Sequence, residues 1–433
     1  MKWYFQGLIV VVGILVLLAM RMPLGFVFGV VGAAGILIST GRFDMLIALV
    51  QSLHDMLSDF VLITIPLFVL MAELLSAGGF VPDLYGSVEK WTGGLRGSLS
   101  IATIVASAMF AAVCGSSYVA SASLGRMTMP EMLERAYKKQ LAAGSVAAGG
   151  SLGILIPPSL AFVIYGYMSG ASIAALFIAG IIPGAILASL FIICILILTK
   201  LFPDMAGRGT AASRREKLLS SIKVIPLILL AILLLGSIYL GVATPAEAAA
   251  LGCLFSLLLC WVYRKLNWKM LLEGVRRTMA ISGFLLLLMG TAKILGFMMA
   301  KAGILYGIQE ALSALPKWGF IFVLYSTVAV MGFFFEGTSI IVLTTPIFAP
   351  AVSAIGLDLV WYGVMLVLFI EIALLTPPVG MNCYIVAEVG KAFGIRLEDV
   401  FRGVVPFIAA LVVAVVLVTL LPDLALWLPS TMH

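Results

Sequence analysis

Pro157-Pro158 and Pro377-Pro378 stand inside apolar runs, SLGILIPPSLAFVIYG over 151–166 and ALLTPPVGMNCYIV over 373–386. A proline has no amide hydrogen, and its ring clashes with the carbonyl one turn back. Two in succession interrupt a helix and release the carbonyls ahead of them, at Leu155 and Ile156 in the first run and at Leu375 and Thr376 in the second. Left unmet in hydrocarbon, each such group costs on the order of several kcal/mol. Something must therefore replace the lost bonds, and carbonyl oxygens can do so by coordinating a small hard cation. Two short stretches of small residues, Gly115-Ser116-Ser117 and Gly337-Thr338-Ser339, offer further oxygens. Their glycines permit close approach of backbones, and their hydroxyls add ligands. A site built from oxygen donors alone suits sodium better than a transition metal. Taken singly, each small-residue stretch also reads as a tight turn or a helix contact, and each double proline as a rigid kink. Both motifs occur in both halves of the chain in the same order, which favours the site.

The elements that must position these residues belong to a membrane protein. Of 433 residues, 63% are hydrophobic and 11% charged, less than half the charge of an ordinary soluble domain. Apolar segments predict crossings at 4–20, 24–40, 60–77, 142–167, 173–199, 224–242, 245–262, 279–298, 361–388 and 404–420. The first, Tyr4–Met20, reads as a span and not as a removed leader. Two further apolar stretches, 98–128 and 318–350, carry the small-residue motifs at their middles. Each is either one long helix or a re-entrant hairpin, and the positive-inside rule separates these readings. With hairpins and an outer N-terminus, inner loops collect Arg21, Lys90, Arg96, Arg126, Arg135, Lys138, Lys139 and the basic residues of 200–223, 264–277 and 391–402. Outside remain only Lys2, Arg42, Lys301 and Lys317, with Lys293 inside a span. A crossing at 98–128 would instead put Lys90 and Arg96 opposite Arg126, Arg135, Lys138 and Lys139. The net charge of +6 is thus a matter of topology, not of nucleic-acid binding.

The landmarks repeat. Pro23 and Pro245, Gly115 and Gly337, Pro130 and Pro350, and the two double prolines all keep an offset of about 220 residues. The expected fold is an all-α polytopic membrane protein made of two units, 1–199 and 224–433, joined by a hydrophilic cytoplasmic linker at 200–223. Each unit has five crossings, one re-entrant hairpin (98–128, 318–350) and one broken helix (142–167, 361–388). Five is odd, so the second unit is inverted, as in secondary transporters. This places both termini outside. Residues 41–59 suit an amphipathic interfacial helix or a short irregular connector.

Ionisable groups inside spans are costly to bury and mark function by default. Glu336 precedes the second small-residue stretch and can steady it, face water or join a cation site; its counterpart is Cys114. Glu73 and Lys293 occupy corresponding places, so they form a pair near the repeat interface, or Lys293 attracts an anionic substrate. Glu371 lies one turn ahead of Thr376 and can support the break. Glu247, after Pro245, is expected to serve its helix N-terminus. Asn382, with nearby serines and threonines, can donate to an anion. The two histidines, His54 and His433, and five cysteines without ligand spacing leave no classical metal site or Ser-His-Asp centre. The aspartates lie in loops or at ends, which excludes a paired-aspartate membrane protease. A potassium-type filter such as TVGYG is absent. An ion or solute channel and a non-transporting subunit of a larger complex remain the alternatives to a transporter.

The motifs RMPLGF (21–26), IPLFVLMAELL (65–75), CGSS (114–117), GILIPPS (153–159), VATPAEAAALG (242–252), EGTSIIVLTTPI (336–347) and LLTPPVGMN (374–382) occur in order along the whole chain. In this the sequence resembles the large membrane subunit of the tripartite ATP-independent periplasmic transporters, the dicarboxylate-transporter large-subunit family. The resemblance implies a sodium-driven secondary importer of organic anions, of the carboxylate, sialic acid or sulfonate class, in the bacterial inner membrane. It also implies an elevator-like movement of the hairpins and broken helices against a scaffold. Expected partners are a soluble periplasmic binding protein and a separate small four-helix membrane subunit, in surrounding lipid. One sodium site would be formed by Gly115, Ser116, Ser117 and the Leu155, Ile156, Pro157, Pro158 and Ser159 break. The second would be formed by Gly337, Thr338, Ser339 and the Leu375, Thr376, Pro377, Pro378 and Gly380 break.

Overall fold

The computed structural model describes residues 3–207, 209, 212–378 and 380–432. Lys2, Arg208 and His433, and Val379 within the second break, lie outside the described residues. Among the described residues the secondary structure is α-helix with short 3-10 turns and no strand. Six helices among the described residues are long and apolar enough to cross a membrane: Phe60–Ala77, Ile173–Leu201, Pro245–Val262, Trp268–Lys301, Gly337–Ala354 and Leu397–Leu420. A seventh is added if Arg214–Ile222 and Ile225–Tyr239, bent by 51°, count as one. The chain is therefore a multi-pass membrane protein. Trp3–Ala19 and Leu24–Thr40, 17 residues each, stand at the lower limit of length for a span.

Trp268–Lys301 is longer than the segment 279–298 expected from hydropathy. Its first turns carry Lys269, Glu273, Arg276 and Arg277, whose charges resemble a loop. The Asn267 side chain caps this start by accepting from the Met270 amide at 2.8 Å. Over 34 residues the helix extends about 50 Å. Thr244 and Glu247 close a capping box on Pro245–Val262, in which the Glu247 carboxylate accepts from the Thr244 amide at 2.8 Å. Met45–Leu57 forms a helix within the 41–59 stretch.

Both proline breaks interrupt helices. Lys139–Ser151 ends in a 3-10 turn over Leu152–Ile154, and a new helix, Leu160–Ser169, starts beyond Pro157-Pro158. Leu359–Leu375 and Met381–Gly390 flank Pro377-Pro378 in the same way. Both proline–proline bonds are cis.

The two small-residue stretches each separate helices that fold back on one another. Ser98–Cys114 is followed by Ser117–Glu134, and their far ends meet where the Leu99 amide donates to the Tyr137 hydroxyl at 3.2 Å. Lys317–Gly332 is followed by Gly337–Ala354. Here the Phe320 and Phe348 rings pack edge-on with centroids 6.3 Å apart. Pro130 and Pro350 lie inside the returning arms.

Contacts between the halves are reciprocal. Leu24–Thr40 packs on Trp268–Lys301, with no room for a side chain at Gly32: a Cβ there would stand 2.7 Å from Ile294 Cγ2. In the exchanged pairing, Pro245–Val262 packs on Phe60–Ala77. Gly252 lies against Met71, and the Cys253 thiol donates to the Leu67 carbonyl at 2.9 Å. Two short amphipathic helices, Phe80–Thr92 and Ile304–Ser313, lead into the two helix pairs that fold back. Hydropathy alone misses them because each is too short and too polar to resemble a span.

Candidate functional site

The first tip is a tight turn. Gly115 takes a left-handed φ of 61°, and Ser116 is extended and starts the returning arm with no side-chain cap. The tip is wedged into the first break. A Cβ on Gly115 would stand 2.7 Å from the Pro158 carbonyl oxygen. One on Gly153 would stand 2.8 Å from the carbonyl carbon and oxygen of Ser116. These two close approaches are what require glycine there. Pro157, Pro158 and Ser159 are buried, and the Ser159 hydroxyl replaces one lost helix bond by donating to the Ile154 carbonyl.

The released oxygens do not all face the tip. The Leu155 and Ile156 amides both donate to the Leu152 carbonyl, at 3.2 and 3.0 Å, so the chain stays coiled up to the prolines. The Leu155 carbonyl oxygen lies against Gly180 of Ile173–Leu201, where a Cβ would be 2.6 Å from it. The oxygen that meets the tip belongs to Pro158, after the coil has opened.

The second tip is built around Glu336. Its carboxylate accepts from the Thr338 amide at 3.1 Å, the Ser339 amide at 2.9 Å and the Ser339 hydroxyl at 2.9 Å. A helix N-terminus favours an anion through its unpaired amides and dipole. The same carboxylate accepts from the Tyr118 hydroxyl at 3.1 Å, which ties the second tip to the first. Gly337 lies against Ile370, and Gly332 against Ala373.

The second break turns inward on its own helix pair. The Leu375 carbonyl accepts from the Cys383 thiol at 3.5 Å, and the Pro378 carbonyl from the Tyr384 hydroxyl at 3.2 Å. The Thr376 hydroxyl donates to the Ile372 carbonyl at 2.6 Å. Gly380 supplies a left-handed φ of 37°. Pro377 and Pro378 are exposed.

A cavity of about 420 Å³ lies between the two tips, with Ser116, Ser117 and Tyr118 on one side and Glu336, Gly337 and Thr338 on the other. Leu160, Ile370 and Leu374 line it from the broken helices, and Phe284 closes it from Trp268–Lys301. No residue from Leu375 to Pro378, nor Gly380, reaches it. Among the described residues the Ser116 and Thr338 hydroxyls have no hydrogen bond within the protein. The cavity therefore joins both small-residue motifs, an anionic cap and unclaimed hydroxyls in an otherwise apolar surround.

Glu73 does not pair with Lys293. Its carboxylate lies 3.5 Å from the Arg277 guanidinium. Arg277 and Lys293 stand 16 residues apart on one helix, or about 24 Å, so Glu73 cannot reach both. Lys293 instead lines a separate cavity of about 500 Å³ with Asp59, Tyr167 and Pro346. Glu371 is fully buried, with one carboxylate oxygen 3.5 Å from the Ser151 hydroxyl. Asn382 is also fully buried, and neither residue lines the cavity between the tips. Gly153, Tyr118 and Phe284 were not singled out by sequence. Gly153 is hidden in the glycine-dense AAGGSLG stretch, Tyr118 adjoins a motif without belonging to it, and nothing local marks Phe284.

Interrupted helices from both halves, meeting over one cavity in a multi-pass helical chain, define a membrane protein of the transporter kind. The chain belongs to the family of the tripartite ATP-independent periplasmic transporter, DctM component, whose model matches residues 11–424. It is 32% identical to the C4-dicarboxylate TRAP transporter large permease protein DctM of Pseudomonas aeruginosa, over 93% of each chain. It is 31% identical to the sialic acid TRAP transporter large permease protein SiaM of Vibrio cholerae, over 96% of this chain and 97% of that one. Among solved structures, the Alcanivorax borkumensis YdaH transporter superposes with a TM-score of 0.62 over 90% of this chain and 89% of its own. At 13% identity this likeness concerns the fold alone.

Proposed function

We propose that this chain is the membrane permease of a sodium-coupled importer of small organic anions, and that the cavity between the two tips is where ion and substrate meet. The observation that carries the reading is the joining of both small-residue motifs over one cavity, with the Ser116 and Thr338 hydroxyls unclaimed. Sodium would take these hydroxyls with the Pro158 carbonyl at the first tip, and Gly337, Thr338 and Ser339 at the second. The relatives are named for C4-dicarboxylates, sialic acid and, in Oleidesulfovibrio alaskensis, isethionate. These are all carboxylates or a sulfonate, so an organic anion of that class is the substrate. Lys293, without an ion pair among the described residues, lines a separate cavity, where it would attract the anion on its way to the tips.

The chain is read as an inverted repeat, 1–199 and 224–433, linked on the inner side by 200–223. Each unit has five crossings and one re-entrant hairpin, and both termini lie in the periplasm of an inner-membrane protein. Support comes from the recurrence of helix bounds at an offset of about 220 residues, as in Ser117–Glu134 and Gly337–Ala354, and from the reciprocal contacts between halves. The hairpins and broken helices would move together, elevator-fashion, against the remaining helices. A soluble periplasmic binding protein would deliver substrate, and a separate small four-helix membrane subunit would complete the scaffold.

The test is uptake in vesicles holding the permease with its small subunit and binding protein. Organic-anion uptake should follow an imposed sodium gradient. Equal uptake with potassium in place of sodium, at fixed pH and membrane potential, would overturn the coupling. Robust uptake by this chain alone would overturn the tripartite assembly.

A further inference from the structure

A second polar cluster lies behind the first break, outside the cavity between the tips. Glu371 is fully buried, and among the described residues its Oε1 has no partner. Its Oε2 meets only the Ser151 hydroxyl at 3.5 Å, while that hydroxyl stands closer, at 2.9 Å, to the Ala148 carbonyl. Asn382 is fully buried, and among the described residues both its amide atoms and the buried Ser121 hydroxyl have no hydrogen-bond partner. Ser121 abuts Gly150, where a Cβ would fall 1.9 Å from its hydroxyl oxygen. Glycine at 150 thus opens the space that the hydroxyl fills.

Helix register brings Asn382 to the same level. The Lys139 ammonium donates to the Gly394 carbonyl at 2.6 Å. Further along, Val146 and Val389 come together against Gly125. Lys139–Ser151 and Met381–Gly390 therefore run antiparallel. Continued by two turns, that register carries Asn382 towards the level of Gly150–Leu152. Ser151 and Glu371 also hold the same place in their two halves, at an offset of 220 residues. Only one half supplies a carboxylate there, so the cluster can form one site and not two.

A buried carboxylate without a cation is among the costliest arrangements in a protein, and more so in a membrane. The donors around it are hard oxygens from a carboxylate, an amide and two hydroxyls, which suit a small hard cation. We infer that Glu371, Asn382, Ser121 and Ser151 hold a further monovalent cation, either sodium or a proton, at a site separate from the two tips. Its role in transport rests on the coupled reading above, but its binding does not.

Thermal unfolding of the purified full-length chain in detergent tests this. Sodium chloride is titrated against choline chloride at constant ionic strength, and pH is varied separately without sodium. A cation that binds only the folded state raises the midpoint. Glu371→Gln, which keeps shape and removes charge, should shift one of the two responses. If sodium is the occupant, half-maximal stabilisation should need at least about fivefold more sodium. If a proton is, the sodium response stays and the pH response flattens. Asn382→Ala should shift the same response, and it stands in if Glu371→Gln does not fold. Wild-type behaviour of both variants in both titrations, or no response of the wild type to either cation, overturns the site. Should Ser116→Ala and Thr338→Ala lose the sodium response while the Glu371 and Asn382 variants keep both the sodium and the pH response, the tip reading survives without this one. If only the Glu371 and Asn382 variants lose it, this site survives and the tips fail.

Discussion

The two proline breaks are written alike but engaged differently. At the first, the prolines are buried, the tip lies against the Pro158 carbonyl, and Gly153 lets the Ser116 backbone approach to contact. At the second, the prolines are exposed, and the Leu375 and Pro378 carbonyls bond to Cys383 and Tyr384 of their own helix pair. The tips differ in the complementary sense. The first has no cap and leaves Ser116 free, whereas the second spends the Glu336 carboxylate on the Thr338 and Ser339 amides. A repeated motif therefore fixes where a helix is interrupted but not what the freed groups touch. In this conformation the first tip and break form an assembled unit, and the second tip is held by its cap more than by its break.

That contrast is sharpest where the prolines are removed. Replacing Pro157-Pro158 with Ala-Leu restores helix bonding and withdraws the Pro158 oxygen from the tip. Apparent sodium affinity in vesicle uptake should fall by about 100-fold, the upper part of the range for a lost polar partner. The same replacement at Pro377-Pro378 should cost about tenfold or less. Equal losses would erase the difference between the breaks.

Crowding the approach between tip and break comes next. Gly153→Ala places a methyl against backbone atoms of Ser116 and Ser117 that cannot swing aside. Overpacking of this kind costs about 1–3 kcal/mol. Uptake should drop several-fold to about 100-fold, with the protein still eluting as a single species. Ala373→Gly, at the corresponding place in the second half, only removes a methyl that Gly332 accommodates, so its effect should be slight. An active Gly153→Ala variant would show that the wedge is incidental.

A smaller loss than at the first break is expected at the link between the tips. Tyr118→Phe deletes the hydroxyl that donates to Glu336 and leaves the ring in place. A hydrogen bond to a charged group contributes about 1.5–3 kcal/mol at most, and Glu336 keeps its amide and hydroxyl donors. Sodium affinity should weaken about three- to tenfold, while Glu336→Gln should do more because it also loosens the cap. A Tyr118→Phe variant more impaired than Glu336→Gln would place the tyrosine in another role.

The interruptions were legible because proline dictates its own backbone consequence, wherever the chain folds. Glycine at 115 was legible for a similar reason, since a tight turn between two helices calls for a left-handed residue. Partnerships were harder to read. Glu73 and Lys293 matched by repeat position, yet Arg277 faces Glu73, because corresponding places in two halves need not be adjacent in space. The Leu155 carbonyl lies against Gly180, a contact between separate helices that the local motif does not encode. Helix Phe80–Thr92 left a clear periodic trace in its buried Phe80, Val81, Leu84, Tyr85 and Val88. Its length, not its pattern, kept it out of a search for spans.

The central claim is that the two tips hold sodium over one cavity, with the first site more fully assembled. Sodium titration of organic-anion uptake, in vesicles with matched amounts of wild type, Ser116→Ala and Thr338→Ala, tests it most directly. Loss of one coordinating hydroxyl should raise the half-saturating sodium concentration about five- to twentyfold in each variant, and further for Ser116→Ala than for Thr338→Ala. Wild-type sodium dependence in both would contradict the account, leaving the tips as turns and the breaks as kinks.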